Sequence, residues 1–214
     1  MIFVNFKTYK QGTGKEAVGL AKICEEVEKE TGISIIPIVQ VADIFRLASL
    51  GLKVWAQHID DVEFGPNTGK ILPEAVFAAG AGGTILSHSE NKLPTEVIGE
   101  TIKRCRETEL RVLVCCESPE EGKEIAKFKP DFLAYEPPEL IGGDVSVSSA
   151  KPGVIKDFVR EIKNIPVVIG AGIHHQEDIK KGLLLGAAGF LVSSGVVLAK
   201  NQKQKLLELA GGFQ

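Results

Sequence analysis

A single (β/α)8 barrel over residues 1–214 is the fold class this sequence predicts, on three observations. Eight short apolar runs alternate with amphipathic charged stretches, the pattern of a parallel sheet with right-handed helical crossovers. The runs are continuously apolar, as strands covered on both faces must be. The chain averages about 27 residues per unit (214 divided by eight), which suits a compact barrel. Eight units also allow a long open sheet, but no Gly-x-Gly-x-x-Gly follows the first run, which weakens a dinucleotide-binding form of it. No linker or low-complexity segment interrupts the series.

In chain order the strand runs are 2–6, 34–39, 54–57, 84–87, 112–115, 132–135, 167–170 and 189–192. Apolar positions at helical spacing mark 15–30, 94–107, 119–127, 152–163, 177–185 and 202–210 as helices. Prolines open candidate helices at Pro73, Pro94 and Pro152. Ser118-Pro119-Glu120-Glu121 has capping-box spacing, with proline at the first helical position. Two connections, 57–72 and 136–151, are longer than packing requires. Both follow the carboxyl ends of strands, the face that carries barrel active sites.

Composition narrows the function classes. A net charge of -3, without a basic stripe, argues against nucleic acid as a partner. Any bound anion must therefore be held locally. Cys24, Cys105, Cys115 and Cys116 form no Cys-x-x-Cys and no zinc spacing, so they read as buried reduced thiols. Adjacent Cys115 and Cys116 point to opposite faces of their strand. With the chain starting directly in a strand and no apolar stretch near about 20 residues, neither a signal peptide nor a membrane span is expected. The expected location is the cytoplasm, and no membrane partner is expected.

Three strings at strand ends carry the chemistry. Glu136, between Tyr135 and the Pro137-Pro138 pair, is the candidate base. Apolar surroundings raise a carboxyl pKa toward a useful value, and two prolines stiffen the chain that aims it. Glu139 reads as solvated. His88 lies between two serines and before Glu90. If the chain turns into a short helix there, the helix N–H groups disfavour a protonated imidazole, leaving a neutral hydrogen-bond donor. Lys7 points inward by alternation if Phe6 faces the helices, with Asn5 beside it. Lysines are rarely buried without a partner, so an inward lysine at a strand end suits an anionic substrate or intermediate.

Gly170-Ala171-Gly172-Ile173 and Ser193-Ser194-Gly195 follow the last two strands and offer backbone N–H groups where barrels frequently bind phosphate. His58, Asp60 and Asp61 form no standard zinc pattern, so no metal is expected. His174 and His175 read as capping or solvated residues ahead of a helix.

Taken together, the strings resemble the triosephosphate isomerase family, in particular its short archaeal-type branch. The resemblance rests on Asn5-Phe6-Lys7, Ser87-His88-Ser89-Glu90 and the segment from Ala134 through Tyr135-Glu136-Pro137-Pro138-Glu139-Leu140-Ile141 to Gly142. It is extended by Gly170-Ala171-Gly172-Ile173 and Ser194-Gly195-Val196 and spans the chain from first strand to last. It implies cofactor-free interconversion of dihydroxyacetone phosphate and glyceraldehyde 3-phosphate, a step of glycolysis and gluconeogenesis. By that resemblance Glu136 is the base and His88 polarises the carbonyl, a pairing for which this family is itself the standard example. Lys7 with Asn5 stabilises the anion, and Glu90 supports them. Ile141, Gly142, Gly172, Ser193 and Ser194 hold the phosphate.

The chain departs from the family in three places: Ile141-Gly142-Gly143-Asp144 replaces Ile-Gly-Thr-Gly, Ser193 replaces a small residue without a hydroxyl, and His174-His175 replaces Ser-Thr. Alternative readings are another phosphosugar barrel, such as an epimerase or an anthranilate-type isomerase, and a non-catalytic barrel that binds sugar phosphates or serves as a scaffold. Apolar Ile59, Val62 and Phe64, interleaved with acids in 57–72, predict an exposed contact surface. Relatives bury this loop against a neighbouring subunit, which implies a homo-oligomer, either a tetramer or a dimer.

Overall fold

The computed structural model describes residues 1–140 and 146–214. Eight strands, β1 (Ile2–Asn5), β2 (Ile35–Val39), β3 (Trp55–Ala56), β4 (Gly83–Leu86), β5 (Arg111–Cys116), β6 (Phe132–Tyr135), β7 (Val167–Ile169) and β8 (Gly189–Val192), close in sequence order. Every pairing is parallel, and β1 closes on β8 with Ile2 opposite Phe190. β6 and β8 coincide with the sequence runs to the residue; the run at 54–57 contracts to a two-residue pairing.

Alternate strand residues face two different layers. Phe3, Ile36, Ile38, Trp55, Ile85, Leu113, Phe132, Ala134, Val168 and Leu191 pack among themselves inside the barrel. Their neighbours Ile2, Val4, Phe6, Val112, Val114, Leu133 and Ile169 pack outward with residues of the helices. Cys115 belongs to the inner layer and Cys116 to the outer, as adjacency on a strand requires. All four cysteines are buried thiols. Burial pushes the Cys105 thiol up to about 12, so it stays protonated and unreactive at neutral pH.

The outer ring is α1 (Lys15–Thr31), α2 (Val41–Ala48), α3 (Pro73–Ala78), α4 (Thr95–Glu107), α5 (Pro119–Ala126), α6 (Val147–Ala150), α7 (Pro152–Glu161), α8 (Gln176–Leu184), α9 (Ser194–Val197) and α10 (Gln202–Gly211). α2 has no counterpart in the sequence reading. It buries Ile44 and Leu47 and leaves Val41 and Phe45 in solvent; its apolar residues recur at helical spacing, but over only eight residues. α5 begins as its capping box predicts, with the Glu121 N–H donating to Ser118 Oγ (3.1 Å). The reciprocal bond shifts by one residue, however: Glu121 Oε2 accepts from the N–H of Glu117 at 2.7 Å.

One expectation fails in the connection after β3. Ile59 is fully buried in the outer layer and contributes nothing to a contact surface. The loop folds back on itself, with the Asp60 N–H donating to the Ile71 carbonyl (2.9 Å) and Asp60 Oδ2 accepting the Ile71 N–H (2.7 Å). That turn drives Ile59 inward, while Phe64 at the tip is 77% exposed. Among the described residues, no helix is long and apolar enough to cross a membrane.

Candidate active site

The inward positions of the strands change character along the barrel. Phe3, Trp55 and Phe132 fill the amino-terminal half, with Phe3 meeting Trp55 and Phe132 edge-on at centroid distances of 5.3 and 5.4 Å. Two residues beyond Phe3, alternation brings Asn5 inward, nearly fully buried. Two residues beyond Ala134 it brings Glu136 to the same end. The outward packing of Phe6 satisfies the condition for an inward Lys7.

Several bonds fix Lys7. Its backbone turns into the left-handed region (φ 47), where the N–H donates to Asn5 Oδ1 (3.0 Å) and the carbonyl accepts from Gln57 Nε2 (2.9 Å). The ammonium donates to Glu90 Oε1 at 2.7 Å. Its side chain is 15% exposed against 58% for Glu90, so the lysine is held from the solvent side and faces the barrel mouth. Ser193 Oγ donates to the Asn5 carbonyl (2.8 Å), tying the end of β8 to the end of β1.

His88 is nearly buried beyond β4. No helix starts there: the Asn91 N–H donates to the His88 carbonyl (2.8 Å) in a turn, and α4 begins only at Thr95. The expected helix N–H groups are replaced by one specific bond, from the Glu90 N–H to His88 Nδ1 (3.2 Å). A ring nitrogen that accepts carries no proton, so the neutral ring bears its hydrogen on Nε2. That Nε2 lies 3.7 Å from Glu136 Oε2.

Glu136 is 6% exposed, and its N–H donates to the Cys116 carbonyl (3.0 Å). Burial pushes its carboxyl above the usual glutamate range; the opposing influences of His88, a hydrogen bond from the Cys115 thiol and Lys7 do not cancel that push. Oε2 is buried without a hydrogen-bond partner among the described residues. Across the strand pairing, a Cβ at Gly170 would approach Glu136 Cγ to 2.7 Å and overlap Oε1. Only glycine leaves room for the carboxylate there.

The other end of the site is built by the turns after β7 and β8. Ala171 and Gly172 both take positive φ (69° and 65°), reversing the chain, and Val147 N–H donates to the Ala171 carbonyl (3.2 Å). Asp178 Oδ2 accepts the N–H groups of His174 (3.1 Å) and His175 (2.9 Å), which is the capping role expected for this segment. Burial pushes the Asp178 carboxyl up, but hydrogen bonds from Ser146 and from the His175 and His174 N–H groups outweigh it and hold it below the usual aspartate range. Ser193 starts α9, its carbonyl accepting from Val196 and Val197.

One cleft unites these pieces, lined by Asn5, Lys7, His88, Glu136, Gly172, Ser193 and Ser194. The sequence reading thus finds its separate strand-end residues in one place. Glu90 stands behind Lys7, and Ile141, Gly142 and Asp144 lie outside the described residues. Tyr9 and His174 also line the cleft. The sequence reading missed Tyr9, which follows the turn at Lys7, where strand alternation no longer applies. Gly170 and Cys115 were missed as neighbours of Glu136, because only pairing of β5, β6 and β7 brings them together. Asp60 spends its oxygens on Lys70, Ile71 and His58. Among the described residues, no group of three His, Cys, Asp or Glu side chains is placed to hold a metal ion.

Comparison with known proteins gives concordant results. The family model for triosephosphate isomerase matches residues 1–210. The triosephosphate isomerase of Methanothermus fervidus is 42% identical over 214 residues, covering 98% of this chain and 96% of that protein. The Methanocaldococcus jannaschii enzyme is 40% identical over 214 residues, covering 98% of each. A crystal structure of the Bartonella henselae enzyme superposes with a TM-score of 0.77 at 17% identity, over 99% of this chain and 98% of that one, a likeness of fold.

Proposed function

Because this chain belongs to the triosephosphate isomerase family, we propose that it interconverts dihydroxyacetone phosphate and D-glyceraldehyde 3-phosphate, with Glu136, His88 and Lys7 as the reacting groups. The observation that carries the assignment of roles is the orphaned Glu136 Oε2, held at the cleft 3.7 Å from His88 Nε2. A buried carboxylate oxygen lacking a donor is an acceptor in waiting, and a carbon-bound substrate proton is what it would take.

In this reading Glu136 removes the proton from the carbon beside the carbonyl, giving an enediolate and a protonated carboxyl. His88 donates its Nε2 hydrogen to the carbonyl oxygen and carries protons between the two oxygens. The Lys7 ammonium stabilises the negative charge that develops on those oxygens. Glu136 then returns the proton to the neighbouring carbon, so nothing is consumed. Gly172, Ser193 and Ser194 hold the phosphate through backbone N–H groups, and Ile141 and Gly142 complete that set in the sequence. No cofactor enters the scheme.

An assay coupled to glyceraldehyde 3-phosphate tests it. Isomerisation in both directions without added cofactor or metal is expected; a protein that binds the substrate yet does not isomerise it would refute the reading. The assembly reading narrows to Phe64, with Phe45 and Phe77 also exposed, as the apolar groups that a second copy would cover. We read residues 1–214 as one domain of a cytoplasmic homo-oligomer, dimer or tetramer. Light scattering that reports an active monomer at micromolar concentration would refute the assembly.

A further inference from the structure

The geometry points to a second binding site, at the amino-terminal mouth of the barrel, that takes a small aromatic carboxylate. A cavity opens there at the starts of β2, β3, β4 and β5, with Ser34, Ile36, Lys53, Trp55, Gly82 and Arg111 among its lining residues. It shares no lining residue with the catalytic cleft at the other end of the strands. Two cations line it and no acid does, in a chain whose net charge is -3.

Trp55 holds an unmet donor. The residue is 5% exposed, yet its Nε1 makes no hydrogen bond among the described residues. Buried tryptophans usually find an acceptor for that N–H. The backbone carbonyls beside it are already in use: Val54 accepts from the Gly82 N–H (3.0 Å), and Gly82 accepts from the Arg111 N–H (3.2 Å). Among the described residues, Glu74 Oε2 and Glu136 Oε2 are the only side-chain nitrogen or oxygen atoms sealed without a partner, so the unbonded Nε1 keeps an opening. Gly82 marks that opening. A Cβ there would stand 3.4 Å from Nε1, and glycine leaves the space free. A donor set in a cavity wall, with nothing in the protein accepting from it, is a place for a ligand oxygen.

Arg111 supplies the charge. Its Nε lies 3.5 Å from Asp131 Oδ1, but Asp131 Oδ2 is spent on the Val112 N–H (2.9 Å). The Nη groups make no hydrogen bond among the described residues. Lys53, by contrast, is paired with Glu28. The guanidinium sits 4.7 Å over the Phe132 ring, so the cation is carried at the edge of the aromatic cluster. A planar guanidinium fork matches a carboxylate, and such charge-assisted bonds are the strong ones. A carboxylate that accepts from Arg111 and from the Trp55 N–H leaves its body to the apolar wall of Ile36 and the indole, which suits a flat ring.

Benzoate is the probe. Trp55 is the single tryptophan of the chain, so one indole N–H resonance reports this site alone. Titration of the full-length protein with benzoate should move that resonance saturably, with a Kd on the order of 1 mM for so small a ligand. Acetate, which lacks the flat body, and benzyl alcohol, which lacks the charge, should each bind at least about tenfold more weakly. Arg111→Gln should weaken benzoate about tenfold, and Gly82→Ala, whose methyl would stand in the approach to Nε1, should abolish the shift. The wild-type titration needs no variant to fold. An indole resonance that benzoate leaves unmoved, or moves without saturating, would overturn the inference. So would equal binding of acetate or benzyl alcohol, or an affinity within about twofold of wild type for Arg111→Gln. Turnover plays no part in this readout, so its failure leaves the proposed function standing.

Discussion

The two halves of the barrel interior occupy successive inward positions of the same strands yet do opposite things. In the amino-terminal half, Phe3, Trp55 and Phe132 interlock edge-to-face, and the Arg111 guanidinium covers the Phe132 ring at 4.7 Å. Burial of these rings stabilises the fold. In the carboxyl-terminal half the next inward residues are Asn5, Lys7 and Glu136, with His88 beside them. There a carboxyl is buried with one oxygen unpartnered among the described residues, an arrangement that costs stability. One half packs so that the other can hold charge out of water. In the proposed reaction, the burial of Glu136 is what suits it to act as the base.

The sharpest way to break this division is Glu136→Gln, which keeps the side chain's size and removes its basicity. Turnover should fall by at least about 10²–10⁴-fold, with circular dichroism unchanged. Retention of a tenth of the wild-type turnover would show that the buried carboxylate is not the base. Gly170→Ala probes the same group from outside. Its Cβ would enter the space of Glu136 Cγ and Oε1 and force the carboxylate aside. An ångström of misplacement is worth on the order of 10²-fold in rate, so kcat should drop by about that factor with little change in melting temperature. If activity survives intact, the position of the carboxylate is not what glycine protects.

Phe132→Ala tests the packing half. Removing a buried aromatic typically costs about 3–5 kcal/mol, which for a domain of this size lowers Tm by roughly 6–20 °C. Calorimetry should show that loss, while kcat measured well below the transition stays within about threefold of wild type. A comparable loss of kcat would mean that the two halves are not separable.

The smallest effect concerns pH. Because burial raises the folded-state Glu136 pKa above its ordinary value near 4.5, the folded form binds the proton more tightly than the unfolded chain. Its favourable contribution is therefore fully present below the ordinary value and is lost as pH rises through the raised one. Above that window the buried charge is a net cost, so Glu136→Gln should melt higher than wild type at pH 8. The gap should shrink or reverse at pH 4. The same titration should make turnover fall on acidification with a midpoint above 4.5. A Tm difference between the two proteins that is independent of pH would show that Glu136 is not destabilised by burial.

The sequence was most legible where one strand carried its own signal. The runs at 132–135 and 189–192 are strands to the residue, since a continuous apolar run flanked by turns admits few other readings. It was least legible where neighbours decide. α2 escaped notice because its apolar pattern spans only eight residues, and Ile59 was taken for a surface residue because the return of the chain at Ile71 could not be foreseen. The short α6 and α9 carry too few turns for periodicity to register.

The site divides in the same way. Lys7, His88 and Glu136 could be singled out from the sequence because a polar residue at the end of an apolar run is a local anomaly, and period-two alternation assigns it a face. Tautomer, proximity and confinement could not, for each depends on a second segment. The Glu90 N–H sets the proton on His88, Gly170 just beyond the next strand makes room for the Glu136 carboxylate, and Ser193 links the last strand to the first. Periodicity is a property of one segment and is written in the chain. Register and closure are relations between segments far apart in sequence, and only packing of the eight strands into a ring brings them about.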